Sequence, residues 1–369
     1  MIFHSTQAII KKSAFVHNVQ SIRALIGSDI HIMAMVKANA YGHGLVETSR
    51  ILSSLGIDCL GVAFSSEAVL LRQAGITLPI IMMTPPEDED IYAIIKYSIE
   101  TVICSEHHLR ELSKQAKEKN ALIKVHTYID TGMHRDGFDP SHTLQFIELL
   151  HSFSNLRWAG ICTHLATSDS SDTSFMDKQL SIFYQCIEQL NQHGYTIPRI
   201  HISNSAGMIR KPLYAAGMVR LGLSLYGYNV IGDIEVPDLL PVMSIESRVL
   251  SLRRIKKGES VSYGRSFVAQ TDTTIATIPI GYGDGLFRHL SNKVSFIING
   301  KFYPVIGNIC MDECMVNIGD DPCSVSDTVT IIGAQGECSQ NAKDIANIIG
   351  TIPYEITTAI SSRVPRRIE

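Results

Sequence analysis

At 369 residues the chain is longer than one hydrophobic core usually supports, so two domains are expected. Apolar residues make up 45% and charged residues 18%, which fits a globular protein with a large core. The net charge of -4 and the lack of any run of about 18 apolar residues give no basis for a nucleic acid or a membrane as partner. Met1-Ile2-Phe3-His4-Ser5 has neither a basic stretch nor a long apolar one, so a cytoplasmic location is expected. The eight cysteines, Cys59, Cys104, Cys162, Cys186, Cys310, Cys314, Cys323 and Cys338, form no Cys-x-x-Cys, and several lie in apolar runs. Neither a disulfide framework nor a metal site is expected.

Ala8 to Lys11 reads as a strand, and Ser13 to Ile26 places Phe15, Val19, Ile22, Leu25 and Ile26 at helical spacing. Strand-like apolar runs follow at Ile32 to Val36, Leu60 to Phe64, Ile80 to Met83, Thr101 to Cys104, Ile123 to Tyr128, Trp158 to Thr163, Ile200 to Ser203 and Val219 to Tyr226. Between most of them lie amphipathic stretches such as Ile91 to Ile99, Leu144 to Phe153 and Phe175 to Leu190. Strands alternating with helices over about 230 residues predict a (β/α)8 TIM barrel. After Tyr228 short strand-like runs take over: Val242 to Ile255, Thr274 to Ile280, Val294 to Ile298, Phe302 to Ile306, Glu313 to Ile318 and Thr328 to Ile332. A helix at Ala342 to Ile348 and another after Thr351 complete a mostly β domain. The expected division is a strand in residues 1–11 that joins the C-terminal domain, a barrel over 12–232, and a β domain over 233–369. Asn229 to Leu239, rich in Gly, Asp and Pro, is the expected linker.

Candidate chemistry starts at Lys37, which ends the Ile32 to Val36 strand and precedes turn residues Asn39 to Gly44. In a βα barrel that strand end carries the active site. A lysine there can form an imine with an aldehyde cofactor once burial and cationic neighbours lower its pKa. Asn204-Ser205-Ala206-Gly207 and Arg220-Leu221-Gly222-Leu223 fall after the seventh strand and in the eighth, where barrels bind phosphate, although the first also reads as a helix cap. Arg220 is a charge inside an apolar run and needs a partner, as a structural salt bridge or a site.

Val36-Lys37-Ala38-Asn39-Ala40-Tyr41-Gly42-His43-Gly44 resembles, almost letter for letter, the cofactor-lysine motif of the alanine racemases, and further motifs recur along nearly the whole chain. The resemblance implies pyridoxal 5'-phosphate (PLP) held by Lys37, with Tyr41, Ser205, the Gly222 and Leu223 amides and Tyr354 on its phosphate, and Asn204 beside them. It places Arg220 against the pyridine nitrogen, where a guanidinium donates a hydrogen bond and keeps that nitrogen unprotonated. Thr163-His164-Leu165-Ala166 resembles a segment whose histidine packs on the ring and links to that arginine.

Racemisation needs a proton carrier on each face of a planar carbanion. Lys37 is the first, and Val261-Ser262-Tyr263-Gly264 resembles the family motif that supplies the second, from the partner subunit. A homodimer with a shared active site is thereby implied, with a small amino acid as substrate. Asp130-Thr131-Gly132-Met133-His134-Arg135 resembles the segment whose arginine holds the substrate carboxylate. Cys310-Met311-Asp312 and Gly281-Tyr282-Gly283-Asp284-Gly285 resemble segments at the substrate entrance, with the Met311 amide on the carboxylate. Arg363-Val364-Pro365-Arg366 is given a structural role. The implied activity is interconversion of L- and D-alanine, supplying peptidoglycan synthesis.

The chain departs from the family pattern at Tyr128, where many members carry a carbamylated lysine, and at His134, where a glycine is common. No carbamate can form on Tyr128, so another group, a bound anion or the Tyr128 hydroxyl, has to orient Arg135. Amino-acid decarboxylases sharing this plan place a carboxylate opposite the ring nitrogen, and Arg220 argues against them. A non-catalytic PLP carrier resembles the barrel alone, and Tyr263 in a second domain argues against that.

Overall fold

The computed structural model describes residues 4–211, 217–229, 231 and 238–369. Much of the expected linker, residues 230 and 232–237, and the opening residues 1–3 lie outside the described residues. The chain divides into two compact units, one of Phe15–Ala40 and Leu45–Leu240, the other of Met1–Ala14, Tyr41–Gly44 and Pro241–Glu369.

The first strand, β1 (Gln7–Ile10), belongs to the second unit. In the first unit, β2 (His31–Met35), β3 (Cys59–Val62), β4 (Ile80–Met82), β5 (Glu100–Ile103), β6 (Ile123–Tyr128), β7 (Leu156–Cys162), β8 (Ile200–His201) and β9 (Met218–Leu221) pair in order into a closed barrel. The strands are parallel, with β9 returning to β2 through His31–Met218 and Ala34–Leu221. Their sequences are nearly continuous apolar runs because both faces are covered. The crossover helices are amphipathic: Glu106–Glu118 buries Leu109, Leu112 and Ala116, and the Ser105 side chain caps its start by accepting from the His108 amide at 3.3 Å.

The last barrel strand is shorter than the apolar run Val219 to Tyr226 suggests. After Leu221 the chain turns back on itself, the Leu225 amide donating to the Gly222 carbonyl at 2.9 Å and the Tyr226 amide to Leu223 at 3.1 Å. Apolarity persists because these turn residues are buried, and the Tyr226 hydroxyl donates to the Met35 carbonyl at 2.9 Å.

The second unit is built on a sheet in the order β11 (Ser251–Ile255), β14 (Thr273–Ile278), β17 (Cys314–Gly319), β16 (Lys301–Ile306), β15 (Ser295–Ile298), β18 (Thr328–Gln335), β10 (Met243–Arg248), β1 and β20 (Arg366–Ile368). The run Val242 to Ile255 is two strands, not one, broken at Val249–Leu250. Short pieces β12 (Ser260–Val261), β13 (Phe267–Val268) and β19 (Cys338–Gln340) carry too little pattern to stand out in sequence. Helices Ala342–Ile349 and Pro353–Ala359 follow the sheet. Among the described residues no helix is long and apolar enough to cross a membrane.

Candidate active site

Lys37 follows β2 at the C-terminal end of the barrel strands. The next residues, Ala38, Asn39, Ala40 and Tyr41, take φ values of 52°, 56°, 53° and 53°. A left-handed run of this kind costs roughly 1–2 kcal/mol per residue and needs fixed partners. Glu67 is one, accepting from the Ala38 amide at 2.6 Å and the Ala63 amide at 2.8 Å. Asn39 is another, its side-chain oxygen accepting from the Leu45 amide at 2.8 Å. Burial pushes the Lys37 ammonium below its ordinary pKa, Arg135 and Arg220 push the same way, and Glu67 opposes them.

Arg220, on β9, is buried and spends its terminal N–H groups inside the barrel. Nη2 donates to the Thr163 carbonyl at 2.7 Å, the Ile202 carbonyl at 2.9 Å and His164 Nδ1 at 3.0 Å. Nη1 donates to His201 Nδ1 at 3.1 Å and to the His201 carbonyl. Among the described residues Nε–H is its one donor without a partner. His164 is held neutral: burial, then Arg220, Arg135 and Lys37, lower its pKa to about 3. Because its Nδ1 accepts from Arg220, its proton sits on Nε2.

Beside this cluster, Ser205 Oγ accepts from the Gly222 amide at 3.1 Å and the Ser224 amide at 3.3 Å, and lies 3.0 Å from Ser224 Oγ. Two backbone N–H groups and a hydroxyl thus converge on one oxygen, the donor set a phosphate oxygen would use. Leu223 lies between the two amides, and Asn204 caps the short helix Ser205–Arg210 by accepting from the Gly207 amide at 2.8 Å. The residues present therefore fit PLP: a lysine of lowered pKa, a phosphate cradle and a guanidinium with a donor to spare.

Arg135 is oriented by Asp136, to which its Nε donates at 3.1 Å, and the Tyr128 phenol is an electrostatic neighbour of its guanidinium. Burial raises the Tyr128 pKa to about 12, so the phenol stays protonated.

Within the second unit the Tyr41 and Tyr354 rings lie 5.5 Å apart. Tyr263 is 74% exposed, and its hydroxyl makes no hydrogen bond to a described residue. Its carbonyl accepts from Asn308 Nδ2 at 2.6 Å. The Tyr282 amide donates to the Cys310 carbonyl at 3.0 Å, and the Gly283 amide to Met311 at 2.8 Å. This approach requires Gly281, where a Cβ would lie 2.3 Å from the Cys310 and Met311 carbonyl oxygens. Asp312 accepts from Arg363 Nη2 at 2.8 Å, and Arg363 Nε lies 3.3 Å from the buried Asp284 carboxylate.

Four side chains behind these groups escaped the sequence reading: Glu67, Glu100, His126 and His201. The last three sit in barrel strands, and a titratable residue inside an apolar strand was the signal available.

Family comparison settles the class. The model of the alanine racemase N-terminal domain matches residues 10–230, and that of the C-terminal domain matches residues 242–368. The chain belongs to the alanine racemase family. Alanine racemase of Treponema denticola is 39% identical over 98% of this chain and 97% of its own length. Among solved structures, alanine racemase of Clostridium difficile superposes with a TM-score of 0.94 at 34% identity, covering 100% of this chain and 97% of its own. Histidine racemase of Leuconostoc mesenteroides gives 0.93 at 26% identity, covering 100% and 99%. The chain is thus an amino-acid racemase of this family, and the expectations of a (β/α)8 barrel followed by a mostly β domain hold.

Proposed function

We propose that the chain interconverts L- and D-alanine with PLP, Lys37 and Tyr263 carrying the α-proton on opposite faces of the substrate. The observation that carries the reading is the cluster at the barrel mouth: a lysine of lowered pKa grouped with Arg135, Arg220 and a neutral His164. PLP, when bound, supplies an electron sink for the carbanion left by proton removal. Lys37 is the attachment point and one proton carrier. Ser205, Asn204 and the Gly222 and Leu223 amides, with Tyr41 and Tyr354, take the phosphate. Arg220 would serve the ring nitrogen, and because a guanidinium keeps its proton, transamination would be disfavoured against simple proton return. His164 would pack on the ring. Arg135, held by Asp136 beside Tyr128, takes the substrate carboxylate together with the Met311 amide, and Tyr282 and Asp312 line the entrance.

An exposed tyrosine whose hydroxyl has no partner among the described residues suits a homodimer in which Tyr263 serves the neighbouring subunit's Lys37. Eight free thiols fit the cytoplasm, and D-alanine would feed peptidoglycan synthesis. The histidine racemase of similar fold makes the substrate the part most in need of test.

Proton NMR of L-alanine in deuterated water with protein and PLP, coupled to a chiral assay, is that test. Loss of the α-proton signal with growth of D-alanine supports the reading. Exchange confined to serine, histidine or a larger amino acid would move the substrate, and carbon dioxide release without a D-isomer would overturn the role of Arg220.

A further inference from the structure

A line of hydrogen bonds runs through the barrel behind Arg220, and donor counting fixes every proton along it. Arg220 Nη1 donates to His201 Nδ1 at 3.1 Å, so that nitrogen carries no proton. The His201 proton is then on Nε2, 3.0 Å from His126 Nδ1. That acceptor leaves the His126 proton on Nε2, 3.0 Å from Glu100 Oε2. The other Glu100 oxygen accepts from Lys124 Nζ at 3.0 Å. Neither ring can turn its protons round, because Arg220 has no acceptor to offer. Burial keeps both imidazoles neutral, lowering the pKa of His126 and lowering that of His201 well below its ordinary value. A guanidinium and a carboxylate thus face each other through two neutral rings of defined tautomer.

The strands are shaped around this line. At Gly160 a Cβ would stand 2.5 Å from His126 Nδ1, so a side chain there would displace the ring. The β6–β7 register also shifts between Val125 and His126, whose partners are Trp158 and Gly160, so Ala159 is skipped in the pairing beside His126. The His126 and His201 rings meet edge to face, with centroids 5.0 Å apart.

We propose that Glu100 is a positioning residue for the racemase reaction, acting through His126 and His201 to hold the Arg220 guanidinium in the rotation that leaves Nε–H as its donor for the cofactor's ring nitrogen. The proposal rests on the reading of Arg220 given above. Glu100 touches neither substrate nor cofactor in this scheme. It anchors the far end of the line, and its negative charge makes each ring a better acceptor for the donor before it, since charged partners strengthen the hydrogen bonds they terminate.

The test is nitrogen NMR of the cofactor-loaded protein with labelled histidine, alongside Glu100→Gln and Glu100→Asp. In the wild type both rings should carry their proton on Nε2 and stay neutral at neutral pH. Glu100→Gln keeps the shape and an acceptor oxygen but removes the charge. It should shift the Nδ1 resonances of both rings and lower kcat about 10-fold, the low end of the range for outer partners of functional histidines, with KM within about twofold. Glu100→Asp should recover part of kcat. A proton on Nδ1 of either ring in the wild type would overturn the proposal, whatever the variants do. So would a Glu100→Gln protein that melts earlier but keeps kcat and both resonances, since the line would then be only a staple between strands. If the wild type exchanges no alanine α-proton, the proposed function fails, while the proton order on the two rings still decides the line.

Discussion

Replacing Arg220 with lysine separates the charge of this side chain from its shape. The guanidinium donates to five acceptors: the Thr163, His201 and Ile202 carbonyls, His201 Nδ1 and His164 Nδ1. An ammonium has three protons, so at least two buried acceptors lose their partner. Each unsatisfied buried group costs about 1–3 kcal/mol, which predicts a loss of about 2–6 kcal/mol for Arg220→Lys. The positive charge remains, so Lys37 and His164 should keep their lowered pKa values. Urea unfolding followed by circular dichroism, with and without PLP, reads the stability. The pH dependence of PLP uptake by the cofactor-free protein reads the charge. A loss below about 1 kcal/mol at unchanged slope would show that water or a shifted backbone satisfies those acceptors, and the reasoning would fail.

Tyr263→Phe should leave stability unchanged, since the side chain is exposed and its hydroxyl unbonded, while α-proton exchange falls by about 10²–10⁴; retained exchange would remove Tyr263 from the chemistry. Arg135→Gln removes a charge that lowers the Lys37 pKa, so PLP uptake through the free amine should move to higher pH, measured from absorbance against pH. Tyr128 leaves no lysine to carbamylate: bicarbonate should not change activity, and a peptide containing Tyr128 should show no added carboxyl mass. Tyr128→Phe should raise KM for the amino acid, since it removes the phenol beside the Arg135 guanidinium. Burial opposes ionisation of Glu100, but His126 and Lys124 outweigh it and lower its pKa from 4.5 to about 2. The folded value is depressed, so the stabilisation, on the order of 3 kcal/mol, is present above pH 4.5 and lost as pH falls toward 2. Urea midpoints at pH 5 and pH 3 should differ less in Glu100→Gln than in the wild type.

The strands of the barrel were legible because each is an apolar run bounded by turn residues. The place of Lys37 at the end of one of them was legible too. The left-handed turn from Ala38 to Tyr41 was not, because alanine and tyrosine rarely adopt it and one of the groups that steady it, Glu67, lies far along the sequence. The pairing of Glu100, His126 and His201 depends on which strand residues face inward at one height, a property of register that periodicity does not reveal. Arg366 was given a structural role from the sequence, but its partners were not legible. In the structure it is partly buried and donates to the Gly42, Ile360, Ser361 and Val364 carbonyls.

Strand β1 is held on one side by β10 and on the other by β20, so residues 7–10 pair with residues 243–246 and 366–368. On the ribosome, at roughly 5–20 residues per second, β1 waits tens of seconds for its second neighbour while the barrel sequence emerges between them. During that interval its apolar Ala8, Ile9 and Ile10, all buried in the finished sheet, present an open edge for misplaced pairing. Production of this protein should therefore be limited by chaperone supply during translation more than by the stability of the finished fold.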